Sequence, residues 1–182
     1  AITYVAHLTP TGSGTGLYEI DDNFKMRKHE LSIVGTYANR LIHTPSMQLS
    51  IGPYLIDTLG NVRLIKEFSK HRLAATMSHL TDPTNKLYFL AMEGEFFEVD
   101  VHTLEVVKLF QLMDELKAPK GSKPHFKSGF THHGRVVVCT NSYNVKDYNG
   151  EWNAGRLAEW DGKGDWVIIE ETAFTEVWSA GS

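Results

Sequence analysis

The chain has 182 residues, 42% hydrophobic and 22% charged, with 18 basic against 22 acidic side chains and a net charge of −4. This suits one soluble domain with a buried core, and with neither a basic block nor an apolar run near the roughly 18 residues of a membrane span it argues against nucleic acid and membrane as partners. A single cysteine, Cys139, excludes an internal disulfide.

Ala1-Ile2-Thr3-Tyr4-Val5 reads as the start of a strand rather than a leader, which leaves a cytoplasmic protein or one secreted after signal removal. Strand-like runs follow at Ile2 to Leu8, Leu17 to Asp21 and Phe24 to Leu31. Asn39 to His43 is predicted to pair with Met47 to Gly52 through Thr44-Pro45-Ser46, with Tyr54 to Asp57 and Val62 to Phe68 after them. Leu73 to Leu80 pairs with Lys86 to Met92 across a run of turn formers, followed by Phe97 to Asp100 and Leu104 to Phe110. The only helical signal is Leu112 to Lys117, inside an insertion from Gln111 to Pro124. His125 to Thr131 pairs with Arg135 to Asn141, a second insertion runs from Ser142 to Gly155, and Leu157 to Asp161 and Trp166 to Glu171 follow. Phe174 to Trp178 is a spare strand.

A short pattern closing on Asp recurs in Leu17-Tyr18-Glu19-Ile20-Asp21, Tyr54-Leu55-Ile56-Asp57, Phe97-Glu98-Val99-Asp100 and Leu157-Ala158-Glu159-Trp160-Asp161. Each Asp suits a turn, because its carboxylate can accept backbone N–H groups two residues on. Four antiparallel strands in roughly 40–45 residues is the dimension of a propeller blade. The expected fold is therefore all-β, a β-propeller of about four four-stranded blades over 1–31, 34–68, 72–110 and 125–171, plus the strand 174–178. Either it belongs to a larger seven- or eight-bladed ring completed by a second chain or a missing segment, or it closes as a four-bladed ring. A β-sandwich is the competing architecture.

Both long insertions fall on one face of such a propeller, where binding loops usually reside. The second carries Tyr143, Tyr148 and Trp152 with Asn144, Asn149 and Asn153, a set suited to the apolar face and hydroxyls of a sugar. Beside it stand His125, Lys127 and Asn141, and strand alternation places His125 and Lys127 on one side. His125, Lys127 and Tyr143 are the candidate catalytic residues, since Lys can hold a carboxylate and His can move a proton near neutrality. Arg40, Arg72, Asn141, Tyr148 and Trp152 are the candidate substrate contacts. At the other mouth His43, His79 and His132 or His133 occupy equivalent levels, and three converging imidazoles would bind a divalent metal such as Mn, Zn or Ca. Glu93 and Glu95, flanking Gly94, read as a solvated turn.

The runs Ala38-Asn39-Arg40-Leu41-Ile42-His43, Ile51-Gly52-Pro53-Tyr54-Leu55-Ile56-Asp57, Met92-Glu93-Gly94 and Pro124-His125-Phe126-Lys127 resemble a bacterial β-propeller family of longer chains. More distantly, the blade layout resembles the seven-bladed polysaccharide lyases acting on uronic-acid polymers, such as oligogalacturonate lyase and ulvan lyase. That resemblance implies an acidic oligo- or polysaccharide as partner, a metal or basic group to neutralise the uronate, and His, Tyr, Lys or Arg to handle protons. The expected function is a carbohydrate-active, lyase-like enzyme. A non-catalytic glycan- or protein-binding module and a glycoside hydrolase are the alternatives; the latter needs two carboxylates facing one sugar, and no such pair is placed on the channel.

Overall fold

The computed structural model describes residues 3–7, 16–31, 33 and 38–177. They fall into two compact units, Ala1–Gly35 and Thr36–Ser182. The fold is all-β: among the described residues helix is confined to one α-helical turn, α1 (Leu112–Glu115), and the 3-10 turns Thr44–Ser46 and Lys66–Lys70.

In the first unit, β1 (Thr3–His7), β2 (Gly16–Ile20) and β3 (Met26–His29) form an antiparallel three-stranded sheet. Asp21 turns the chain between β2 and β3, its Oδ1 accepting the N–H groups of Asn23 and Lys25, both at 2.9 Å. Across the same pair of strands, Glu19 takes Arg27 at 2.6 Å and His29 at 3.0 Å.

The second unit contains three four-stranded antiparallel sheets, each in simple chain order. The first is β4 (Arg40–His43), β5 (Gln48–Ile51), β6 (Tyr54–Asp57) and β7 (Val62–Leu64). The second is β8 (Leu73–Ser78), β9 (Lys86–Ala91), β10 (Glu95–Asp100) and β11 (Val106–Gln111). After α1 come β12 (Ser122–Lys123), β13 (Phe126–His132), β14 (Arg135–Thr140), β15 (Tyr143–Asn144), β16 (Arg156–Trp160) and β17 (Val167–Glu170), of which β13, β14, β16 and β17 make the third sheet. The Asp turns recur in all three. Asp57 accepts Leu59 and Asn61 N–H, Asp100 accepts His102 and Thr103, and Asp161 accepts Lys163 and Gly164. The Asn61 side chain at Asp57, and the Thr103 and Lys163 amides at Asp100 and Asp161, hold these carboxyls below their usual range.

The sheets stack, so the middle one is buried on both faces. Alternation along β9 sends Leu87, Phe89 and Ala91 into a core with Leu55, Phe68 and Phe97, and Tyr88 and Leu90 into a second core with Phe126, Val138 and Trp160. Trp160 and Trp166 stack at 5.8 Å in the second core, and Phe68 meets Phe89 at 4.8 Å in the first. The first strands adjoin in the order β4, β8, β13. Thr76 N–H donates to Ala38 O at 3.2 Å, Asn39 Nδ2 to Thr76 Oγ1 at 2.7 Å, and Thr131 Oγ1 to Ser78 O at 2.6 Å.

Two sequence expectations are corrected. Val62 to Phe68 is not one strand: pairing stops at Leu64 and the chain curls into the Lys66–Lys70 turn. Ile65 and Phe68 are both buried, and a spacing of three suits a helical turn, not a strand. Phe174 to Val177 is not a strand either, and Trp178 lies outside the described residues. This segment meets the third sheet through one backbone bond, Phe174 N–H on Thr140 O at 3.4 Å, and one side-chain bond, Ser128 Oγ on Val177 O at 2.9 Å, in place of a backbone ladder.

Candidate functional site

The two insertions are joined. β12 pairs with β15, with Ser122 opposite Asn144 and Lys123 opposite Tyr143. Asn144 organises the junction: its Nδ2 donates to Lys120 O at 3.3 Å, its Oδ1 accepts Lys146 N–H at 3.0 Å, and its own N–H donates to Asn153 Oδ1 at 2.7 Å. Asn144 and Asn153 therefore build the loop, their side chains hydrogen-bonded within it. Ser142 Oγ accepts His125 N–H at 2.9 Å and bonds Thr140 Oγ1, tying the second insertion to the start of β13.

Between the insertions and the start of β8 lies a cleft of about 170 Å³, lined by Arg72, Lys123, Pro124, His125, Tyr143 and Trp152. Trp152 is its hub, with ring centroids 5.2 Å from both His125 and Tyr143. Tyr148 stacks on Tyr143 at 4.3 Å. Lys123 Nζ sits 5.9 Å from the Tyr143 ring centroid, within cation–π range. Arg72 Nε donates to Glu93 Oε1 at 2.8 Å, so the Glu93 turn is an ion pair at the rim and not merely solvated.

Burial lowers the His125 pKa below its ordinary 6.5, and the Lys127, Arg72 and Lys123 charges lower it further against a small opposing effect of Asn141. His125 is thus neutral at neutral pH, the form that accepts a proton. Asn141 is buried beside it, and its Oδ1 has no hydrogen-bond partner among the described residues.

Four predicted residues, Arg72, His125, Tyr143 and Trp152, come together in the cleft, with Tyr148 and Asn141 packed around them. Lys127 acts on His125 through its charge but does not line the cleft. It is the extra residue of a β-bulge: Phe126 pairs with Thr140 and Ser128 with Cys139, which breaks the alternation that put it beside His125. Arg40 lines a different pocket, between the first strands. Lys123 was missed, because nothing local in Ser122-Lys123-Pro124 announces that its strand pairs with Tyr143.

The histidine cluster does not form a metal site. Among the described residues no group of three His, Cys, Asp or Glu side chains is placed to hold a metal ion. His43 and His79 are committed within the fold. His43 bonds Ser46 Oγ at 2.6 Å and Pro83 O at 2.8 Å. His79 Nε2 bonds Glu98 at 2.7 Å while its Nδ1 accepts Thr81 and Asp82 N–H. His132 packs edge-on against His133 at 3.8 Å.

No protein-family model and no curated protein matches this chain. Among the described residues no helix is long and apolar enough to cross a membrane.

Proposed function

We propose that the chain is a portion of a β-propeller whose loop-bearing mouth binds an acidic, uronate-containing glycan and cleaves it by β-elimination. The observation that carries this reading is the cleft itself, in which His125, Tyr143 and Trp152 share one wall with Lys123 and Arg72. Aromatic faces suit the apolar side of a pyranose, and the two cations suit a carboxylate. The stacked four-stranded sheets, with first strands adjoining in chain order, support the propeller architecture. The segment 174–177 lies beside β13 as the next first strand would, which supports a larger ring completed by another chain or by further sequence. Sedimentation mass tests that completion.

In the chemistry proposed, Lys123 neutralises the uronate carboxylate and so acidifies the adjacent C–H. Neutral His125 accepts that proton, the electron pair forms a carbon–carbon double bond, and the glycosidic oxygen leaves with a proton donated by Tyr143. Burial, with the nearby charge of Lys127 adding to it, keeps His125 deprotonated.

The test is the ultraviolet absorbance of unsaturated uronates, scanned over acidic polysaccharides, alongside affinity electrophoresis on the same glycans. Product formed by the wild type and lost in His125→Ala, with an unchanged circular dichroism spectrum, supports the enzyme. Binding without product, lost in Trp152→Ala, leaves the glycan-binding module. No binding and no product overturns both.

A further inference from the structure

We infer that the pocket between the first strands β4, β8 and β13 is a second binding site, built for a small monocarboxylate with an apolar body and held by Arg40. The pocket measures about 210 Å³, and none of its lining residues belongs to the loop cleft. That is roughly seven waters at ~30 Å³ each, room for a carboxylate on one ring or a short alkyl chain.

Arg40 is the only charged residue in the lining. Every other arginine in the chain is engaged: Arg27 with Glu19, Arg63 with Gln48, Arg72 with Glu93, Arg135 with Glu159, and Arg156 with the Leu116 carbonyl. Among the described residues the Arg40 guanidinium has no ion pair or hydrogen bond. Counting three residues back from His43, His79 and His132, the equivalents of Arg40 are Thr76 and Gly129, so it is the one large polar side chain at that level. Arg40 is itself exposed, and a planar fork with free donors at the edge of a concave surface fits a carboxylate in bidentate fashion.

The remaining walls decide the rest of the ligand. Thr76 Oγ1 already accepts from Asn39, Thr131 Oγ1 already donates to Ser78 O, and Ser128 Oγ already bridges the Val177 backbone. The rest of the lining is mostly apolar, with Ala38, Leu41, Met77, Phe130 and Val177 beside the Ser78 hydroxyl. A polyol would replace few of its water hydrogen bonds on so largely apolar a wall, and the site does not depend on the glycan reading.

Ligand-observed NMR titrations with benzoate, hexanoate and benzyl alcohol test the site on the intact chain. Saturable binding of either carboxylate is expected, at least tenfold weaker for benzyl alcohol and at least tenfold weaker in Arg40→Met. Because Arg40 bonds nothing, that variant should melt as the wild type does. Arg40→Lys, which keeps charge and loses the fork, is the second variant, expected to bind severalfold more weakly. Lys123→Met should leave carboxylate affinity unchanged. Absence of saturable binding at millimolar carboxylate, undiminished binding in both Arg40 variants, or loss of binding in Lys123→Met would overturn the inference.

Discussion

His79 and His125 stand at opposite ends of equivalent strands, one just after β8 and the other just before β13. His79 is 6% exposed, and Glu98 and two turn amides occupy both its ring nitrogens. His125 is half-buried, packed on Trp152, and near three cations, with no carboxylate bound to it among the described residues. The same side chain is a hydrogen-bonded clamp at one end and a neutral, half-buried ring at the mouth of a cleft at the other. The difference lies in the partners that neighbouring turns supply, not in the residue.

The strongest way to break this contrast is to remove each ring. His79→Ala leaves Glu98 and two turn N–H groups short of a partner in a buried setting, and is expected to cost about 2–4 kcal/mol. At about 2–4 °C per kcal/mol for a chain of this size, the melting temperature should fall by roughly 4–16 °C. His125→Ala should cost under about 1 kcal/mol and lose product formation. Equal melting shifts for the two would show that the clamp assignment is mistaken.

A smaller effect is expected at the hub of the cleft. Trp152→Ala should weaken glycan binding about tenfold, or ~1.4 kcal/mol, with melting nearly unchanged.

The pH dependence sharpens the contrast further. The folded His125 pKa lies below the unfolded 6.5. Between those two values the unfolded chain binds a proton that the folded chain does not. Stability from this group is therefore present above about pH 6.5, falls as pH drops through that window, and levels off below the folded pKa. NMR titration of the imidazole should show a midpoint below 6.5, moving upward in Lys127→Met. A midpoint that stays put would mean the bulge carries Lys127 too far away to matter.

The smallest effect is a rate. Cys139 is fully buried in β14, and burial pushes its thiol up to about 12. It should resist thiol reagents in the native state. Labelling should quicken in His79→Ala and stay slow in His125→Ala, reporting which ring holds the interior shut.

The three complete sheets were legible because strand alternation and turn chemistry agree. Lys86 to Met92 is apolar on both faces, and it proved to be the strand between two cores. The Asp turns were legible because one carboxylate does one local job. What the sequence did not disclose is direction. His43, His79 and His132 do occupy matching levels, but the rings of the first two are committed to hydrogen bonds with neighbouring turns and Glu98. Lys127 looked like a neighbour of His125 until an extra residue broke the alternation. That bulge has a counterpart in β8, where Leu73 pairs with Ala91 and Ala75 with Leu90, and neither can be read from a single strand. Lys123 depends on pairing between two insertions some twenty residues apart, which local patterns do not encode.

The β12–β15 ladder also has a consequence for redesign. Each of these two-residue strands pairs with the other in a separate two-stranded sheet, so neither insertion presents a finished surface alone. Randomising one loop while keeping the other would mostly produce broken ladders rather than new specificities. A library that varies 120–124 and 142–153 together, and keeps Asn144 as the joint, treats the pair as one interchangeable cassette on an unchanged scaffold.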